Sequence, residues 1–145
     1  MVVEALTIND IMDVRVTVLR KDTPTQHCEY PEDALPDVVH LGIRRNEIVV
    51  ATSTWFTKEC PDVPGEPATQ LKGMAVDDSL HGSGCGTALV DAGIDLARQR
   101  GSALVWARAR DSALGFYKKC GFTIVGEGFI DGPTAMPHHI VVRYI

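Results

Sequence analysis

Three glycines alternate through His81-Gly82-Ser83-Gly84-Cys85-Gly86, between an apolar extended run and an amphipathic one. Gln70 to Val76 before them reads as a strand. From Gly86 onward Leu89, Ala92, Gly93, Leu96 and Ala97 recur at i, i+3, i+4, i+7 and i+8, the apolar stripe of a helix. The first turn of such a helix exposes unpaired N–H groups and the positive end of its dipole. Glycines let a bulky anion such as a pyrophosphate approach that backbone without meeting a Cβ. Glycine also punctuates ordinary turns, so the turn alone does not prove a phosphate cradle.

Two phosphate-binding patterns fail on the residues. A Walker A loop read from Gly82 places Thr87 sixth with no lysine after it, and a dinucleotide fingerprint needs glycine at the same place. The turn also falls halfway along the chain, after several antiparallel-looking strands.

Around this unit the chain reads as one α/β domain over residues 1–145, without repeats or linkers. Val2 to Leu6 is an edge strand, and Thr7 or Asn9 caps a helix that runs to about Leu19. Its apolar candidates are Ile11, Met12, Val14, Val16 and Leu19. Residues 20–37, with Pro24, Pro31 and Pro36, are an irregular segment of the kind that forms lids or binding loops. Val38 to Ile43 and Ile48 to Phe56 are strands joined by the turn at 44–47. Cys60 to Pro67 is a second connection, and Gly101 ends the central helix behind Arg98 and Arg100. Ala103 to Ala107 is a buried strand, and Asp111 or Ser112 caps a helix with Ala113, Phe116, Tyr117 and Cys120 inward. Gly121 ends that helix. Phe122 to Val125 and Ile140 to Ile145 complete the strands.

A net charge of −5 argues against broad phosphate-backbone contact, so nucleic acid is not an expected partner. No apolar run reaches the roughly 18 residues that cross a bilayer. Met1 to Asp10 has neither a basic start nor a long apolar core, so a cytoplasmic protein without membrane contact is expected. Cys28, Cys60, Cys85 and Cys120 are widely spaced and read as free thiols. His27, Cys28 and His40 lack the spacing of zinc ligands, and no metal is expected.

Three linked segments resemble the GNAT superfamily of acyl-CoA-dependent N-acetyltransferases. His81-x-x-Gly84-x-Gly86 meets the family's acyl-CoA signature, [RQ]-x-x-G-x-[GA], except that histidine replaces Arg or Gln. Leu71 to Val76, LKGMAV, is similar to its central strand, and Ala109 to Phe122, ARDSALGFYKKCGF, to its helix-to-strand motif. Pro137-His138-His139 resembles the Pro-His near its last strand. The resemblance covers about half the chain. It implies a mixed, mostly antiparallel sheet flanked by helices and splayed around the cofactor. The implied cosubstrate is acetyl-CoA. Its pantetheine would lie on Met74, Ala75 and Val76, its pyrophosphate on His81, Gly82, Ser83, Gly84, Cys85, Gly86 and Thr87, with Phe116 and Tyr117 nearby. Arg108 stands where many members carry Asn, placing a cation near the cofactor.

Amide formation from a thioester needs a neutral amine, a stabilised oxyanion and a protonated leaving thiolate. A lysine-like amine has a pKa of about 10.4, so a base or a desolvating pocket is required. An unpaired N–H between Met74 and Val76 can polarise the carbonyl. Tyr117 is the expected general acid, since a phenol stays protonated at neutral pH; core packing is the competing reading of its position. The central strand has Gln70 and Lys72 but no carboxylate, and His138 is the favoured base over His139. A structural role for His138 competes, and Glu127 and Asp131 are further options. Asp77 and Asp78 read as turn and cap residues. The acceptor is an unspecified small-molecule or peptide amine, and the resemblance makes a homodimer plausible. A domain that binds acyl-CoA without turnover, or another nucleotide-phosphate binder, are the alternatives.

Overall fold

The computed structural model describes residues 1–145. Seven strands form one sheet in the order β1-β2-β3-β4-β5-β7-β6. They are β1 (Glu4–Leu6), β2 (Val39–Arg45), β3 (Ile48–Thr57), β4 (Ala68–Val76), β5 (Leu104–Arg110), β6 (Thr123–Ile130) and β7 (Pro137–Tyr144). Helices α1 (Ile8–Leu19), α2 (Cys85–Gln99) and α3 (Leu114–Lys119) flank the sheet. Only β4 and β5 run parallel; every other neighbour is antiparallel. The mixed, mostly antiparallel sheet with flanking helices is as expected.

Local chemistry sets the ends of these elements. Thr7 Oγ1 accepts from the Asp10 N–H at 3.2 Å while the Asp10 carboxylate accepts from the Thr7 N–H at 3.0 Å, a reciprocal cap that starts α1. Asn46 and Glu47, both at positive φ, close the β2–β3 hairpin with the Arg45↔Ile48 pair at its base. Gly101, at φ +79°, ends α2: its N–H bonds to Arg98 O and the Ser102 N–H to Ala97 O. Asp77 caps the short 3-10 turn Asp78–Leu80 by accepting from Ser79, as a turn residue should.

The main core lies between the sheet and α2–α3, with Leu41, Trp55, Leu71, Leu89, Val90, Ile94, Val105 and Val141 buried together. Gly93 of α2 sits directly on the Trp55 ring, so close that a Cβ there would overlap it. A smaller cluster of Cys60, Ala68, Leu104, Trp106 and Val142 fills the other face of the sheet.

Four expectations need correction. Neither Asp111 nor Ser112 caps α3: Asp111–Ala113 is a 3-10 turn, and α3 begins at Leu114 without a side-chain cap. The Asp111 carboxylate instead takes His139 Nδ1 at 2.6 Å. Strand β6 continues past Val125 to Ile130, because Gly126, at φ +69°, sits in a bulge rather than a loop. Strand β7 starts at Pro137, three residues before the expected Ile140. Helix α1 buries Arg15 beside Ile11 and Val14, where periodicity had placed only apolar residues.

Candidate active site

Strands β4 and β5 pair only from Ala68↔Leu104 to Leu71↔Ala107 and then part. Gly73, at φ +65°, causes a bulge in β4, visible as a register shift between Thr52 and Thr54 on β3. A Cβ on Gly73 would press on the Tyr30 ring and Arg15, at 3.1 and 3.3 Å. The bulge re-aims the strand, so Leu71, Met74 and Val76 all face the α2 core. The β4 edge beyond Leu71 is left without a strand partner on the β5 side. A cleft of about 1340 Å³ runs through this gap to both faces of the sheet.

On the α2 side the cleft meets the glycine turn. Gly82 and Gly84 are exposed at φ +79° and +91°, and nothing lies within 4 Å of a Cβ built on Gly82. Gly84 is the N-cap of α2, which gains one residue over the expected start at Gly86. Gly86 lies so near Phe116 that a Cβ would come within 2.8 Å of the ring. The structure therefore brings together Met74, Val76, His81, Gly82, Gly84, Cys85, Gly86, Thr87, Phe116 and Tyr117 on one wall. Ala75 and Ser83 do not line it. The Ala75 side chain is buried and points to the opposite face of β4, and the Ser83 hydroxyl turns inward to Cys85 Sγ at 3.2 Å. His81 is exposed, and its imidazole lies 3.6 Å from Asp78.

Tyr117 is buried, edge-on to Phe116 and Phe122, and burial pushes its phenol well above the ordinary value. Only Arg15 Nε and Gln70 Oε1 are sealed polar atoms without a partner, so the unbonded Tyr117 hydroxyl keeps access to the cleft.

The opposite wall is built on even-numbered residues of β5, with Trp106, Arg108 and Arg110 on one face. His138 lies across from Arg110 in the β5–β7 register. It is buried, stacks on Phe129 at 5.8 Å and holds Met136 O at 2.8 Å through Nδ1. A carbonyl only accepts, so Nδ1 carries the proton and Nε2 has a free lone pair. His139 faces the other way, bound to Asp111 and packed on Gly128, and does not line the cleft. Arg108 reaches Asp131 at 3.8 Å and covers the Phe129 ring. Burial tends to raise the Asp131 carboxyl, but the Thr134 hydroxyl and N–H, with His138 and Arg108, hold it below the ordinary range. Such a carboxylate is a poor base. Glu127 is exposed on β6 and does not line the cleft.

A charged floor under this wall escaped the sequence reading. The Arg15 guanidinium, wholly buried, grips Asp33 through two bonds of 2.8 and 2.9 Å and also binds Cys28 O and Thr54 Oγ1. Tyr30 is sandwiched between Arg15 and Lys72, with ring distances of 4.2 and 4.4 Å. Lys72 in turn binds Glu32 at 3.0 Å. The irregular segment 20–37 is thereby tied to the sheet and becomes a wall of the cleft. Lone charged residues in a proline-rich stretch gave no sign of these partners.

Residues 8–122 match the Acetyltransferase (GNAT) family model, and the chain belongs to that family of N-acetyltransferases. It is 26% identical over 140 residues to the uncharacterized N-acetyltransferase YitI of Bacillus subtilis, covering 97% of this chain and 93% of that one. The fold superposes on Escherichia coli ElaA with a TM-score of 0.77 at 17% identity over 99% of both chains. It also superposes on an aminoglycoside 6'-N-acetyltransferase complexed with coenzyme A, with a TM-score of 0.74 at 15% identity over 99% and 97%. FeeM, an N-acyl amino acid synthase from uncultured soil microbes, gives 0.75 at 16% identity over 99% and 90%.

Proposed function

We propose that this N-acetyltransferase moves an acetyl group from acetyl-CoA to a primary amine by direct attack in a ternary complex. The observation that carries the reading is the parting of β4 and β5, with Tyr117 on one side of the gap and His138 on the other. The residues suit the cosubstrate. Left-handed Gly82 and Gly84 leave an open concavity at the first turn of α2, and the free β4 edge matches an extended amide-bearing arm.

Bound acetyl-CoA supplies the thioester acyl donor. The N–H groups of Gly86 and Thr87, in the first turn of α2, have no earlier carbonyl within the helix and are free to hold phosphate oxygens. Met74 falls in the β4 bulge, where its N–H can polarise a carbonyl laid along the edge. Tyr117, kept protonated by burial, donates to the departing sulfur. His138 takes the amine proton on Nε2, directly or through water, in a wall that excludes most solvent.

Acetyl-CoA should raise the melting temperature, and a pool of primary amines should accelerate release of the CoA thiol. Stabilisation without thiol release for any amine points instead to a domain that senses acyl-CoA. Absence of both overturns the reading.

A further inference from the structure

The cations of the cleft divide into two kinds. Arg15 is neutralised by Asp33, Lys58 and Lys72 share Glu32, and Arg108 has Asp131. Arg20, Arg110 and Lys119 line the cleft with no carboxylate in ion-pair reach, and of these only the two arginines lie together. Arg20 is buried and spends its Nε on His27 O at 2.7 Å and one terminal nitrogen on Leu19 O at 3.4 Å. Arg110 also donates to Leu19 O. Burial, and then the neighbouring Arg20 charge, push the Arg110 guanidinium below its ordinary value, against a smaller opposing pull from Tyr30, Asp131 and Cys28. Two arginines converge from elements about 90 residues apart on one carbonyl, in a chain of net charge −5.

Leu19 O is the last carbonyl of α1, and a cation there gains from the helix dipole. One carbonyl oxygen uses few of the ten N–H donors of two guanidinium groups, and it leaves their charge uncancelled. A carboxylate or phosphate group takes two such forks side by side.

We infer that Arg20 and Arg110 form a receptor for an anionic oxygen group on the acceptor, so that the enzyme acetylates amines that carry a carboxylate or phosphate. The inference rests on the acetyltransferase reading. The scale fits: Arg110 lies three residues past Ala107, where the strands part, about 10 Å at the usual strand rise. An arginine side chain and a compact amino acid together close that distance.

The test is a thiol-release panel of matched pairs: amino acids against their carboxamides, and amino-sugar phosphates against the unphosphorylated amino sugars. Acetyl-CoA binding is followed separately by thermal shift. The receptor predicts at least a tenfold preference in kcat/KM for the anionic member of one pair type. The favoured type identifies carboxylate or phosphate. Arg20→Lys and Arg110→Lys keep a charge at the end of α1 but lose the fork, so the ratio between pair members should fall about tenfold with the acetyl-CoA shift retained. Equal rates within every pair overturn the receptor, as does an absence of any reaction while acetyl-CoA binds. A ratio unmoved in both variants, or a loss that strikes both members alike, makes the arginines helix caps only. Failure of acetyl-CoA to bind at all strikes the acetyltransferase reading instead.

Discussion

His138 Nδ1 lies 2.8 Å from the main-chain oxygen of Met136, and this bond leaves Nε2 as the ring nitrogen able to accept a proton. Its neighbour His139 spends its Nδ1 on Asp111 at 2.6 Å, on the other side of β7. Both rings therefore carry the proton on Nδ1, and the two differ in that only His138 lines the cleft. His138→Ala should lower kcat for acetyl transfer about 100-fold with the acetyl-CoA thermal shift retained. His139→Ala should leave kcat near the parent's. Equal, small effects from both substitutions would remove His138 from the role of base.

Tyr117→Phe deletes a hydroxyl and keeps the edge contacts with Phe116 and Phe122. Loss of a general acid should lower kcat about 100-fold with the acetyl-CoA thermal shift nearly unchanged. A kcat equal to the parent's would mean that the ring serves packing and the thiolate takes its proton from water.

Gly84→Val puts a β-branched residue at φ +91° and crowds the open turn. The strain should cost about 1–2 kcal/mol of stability. Beyond that cost, the variant should show no thermal shift with acetyl-CoA at concentrations that shift the parent. A normal shift in a folded variant removes the turn from the cofactor site.

Gly93→Ala tests the core away from the chemistry. Trp55 cannot easily retreat from the new Cβ, because its indole N–H is held by Ser53 Oγ at 2.7 Å. Overpacking of this kind should destabilise by about 1–3 kcal/mol, read as a lower urea midpoint. A midpoint within error of the parent's would show that the ring moves freely.

Acid should loosen the floor of the cleft in two stages. His40 shares Thr54 Oγ1 with Arg15, and burial holds its imidazole below the ordinary value despite Asp33 nearby. Its contribution is complete above the unfolded pKa of about 6.5 and is lost as pH falls through the lower folded value. The Asp33 carboxyl is also depressed: burial opposes this, but the Arg15 bonds and the Tyr30 N–H prevail. Its share is complete above about pH 3.9 and disappears at still lower pH. Asp33→Asn should cost about 3 kcal/mol at neutral pH by leaving Arg15 buried without its counter-charge, and should abolish the later stage. An unaltered acid titration of stability in that variant would contradict this.

How much of this could be read beforehand depended on distance along the chain. The strand, glycine turn and helix from Leu71 to Gly101 were legible because each signal lies within one turn or one pleat of the next. Tyr117 and His138 came from motif resemblance and do line the cleft. The strand expected over Phe122 to Val125 stops short of Ile130, since a bulged edge strand and a loop share glycines such as Gly126 and Gly128. Gly73 was read as an ordinary strand position because its left-handed φ leaves no mark in the hydrophobic pattern. The pairing of Arg15 with Asp33, and the meeting of Arg20 with Arg110, follow from neither propensity nor periodicity. They exist only once the sheet has brought distant segments together.

The parting of β4 from β5 also governs how the molecule can move. Past Leu71↔Ala107 the four strands on one side and the three on the other behave as two leaves joined along a short seam. The softest deformation of such a body is a rotation about that seam. An extended ligand chain laid in the wedge supplies the missing ladder and locks the leaves. Amides on the free edge of Lys72–Val76 should therefore exchange rapidly in the empty enzyme and slowly in the loaded one. On the proposed reading, the acyl donor would then serve for a time as an eighth strand.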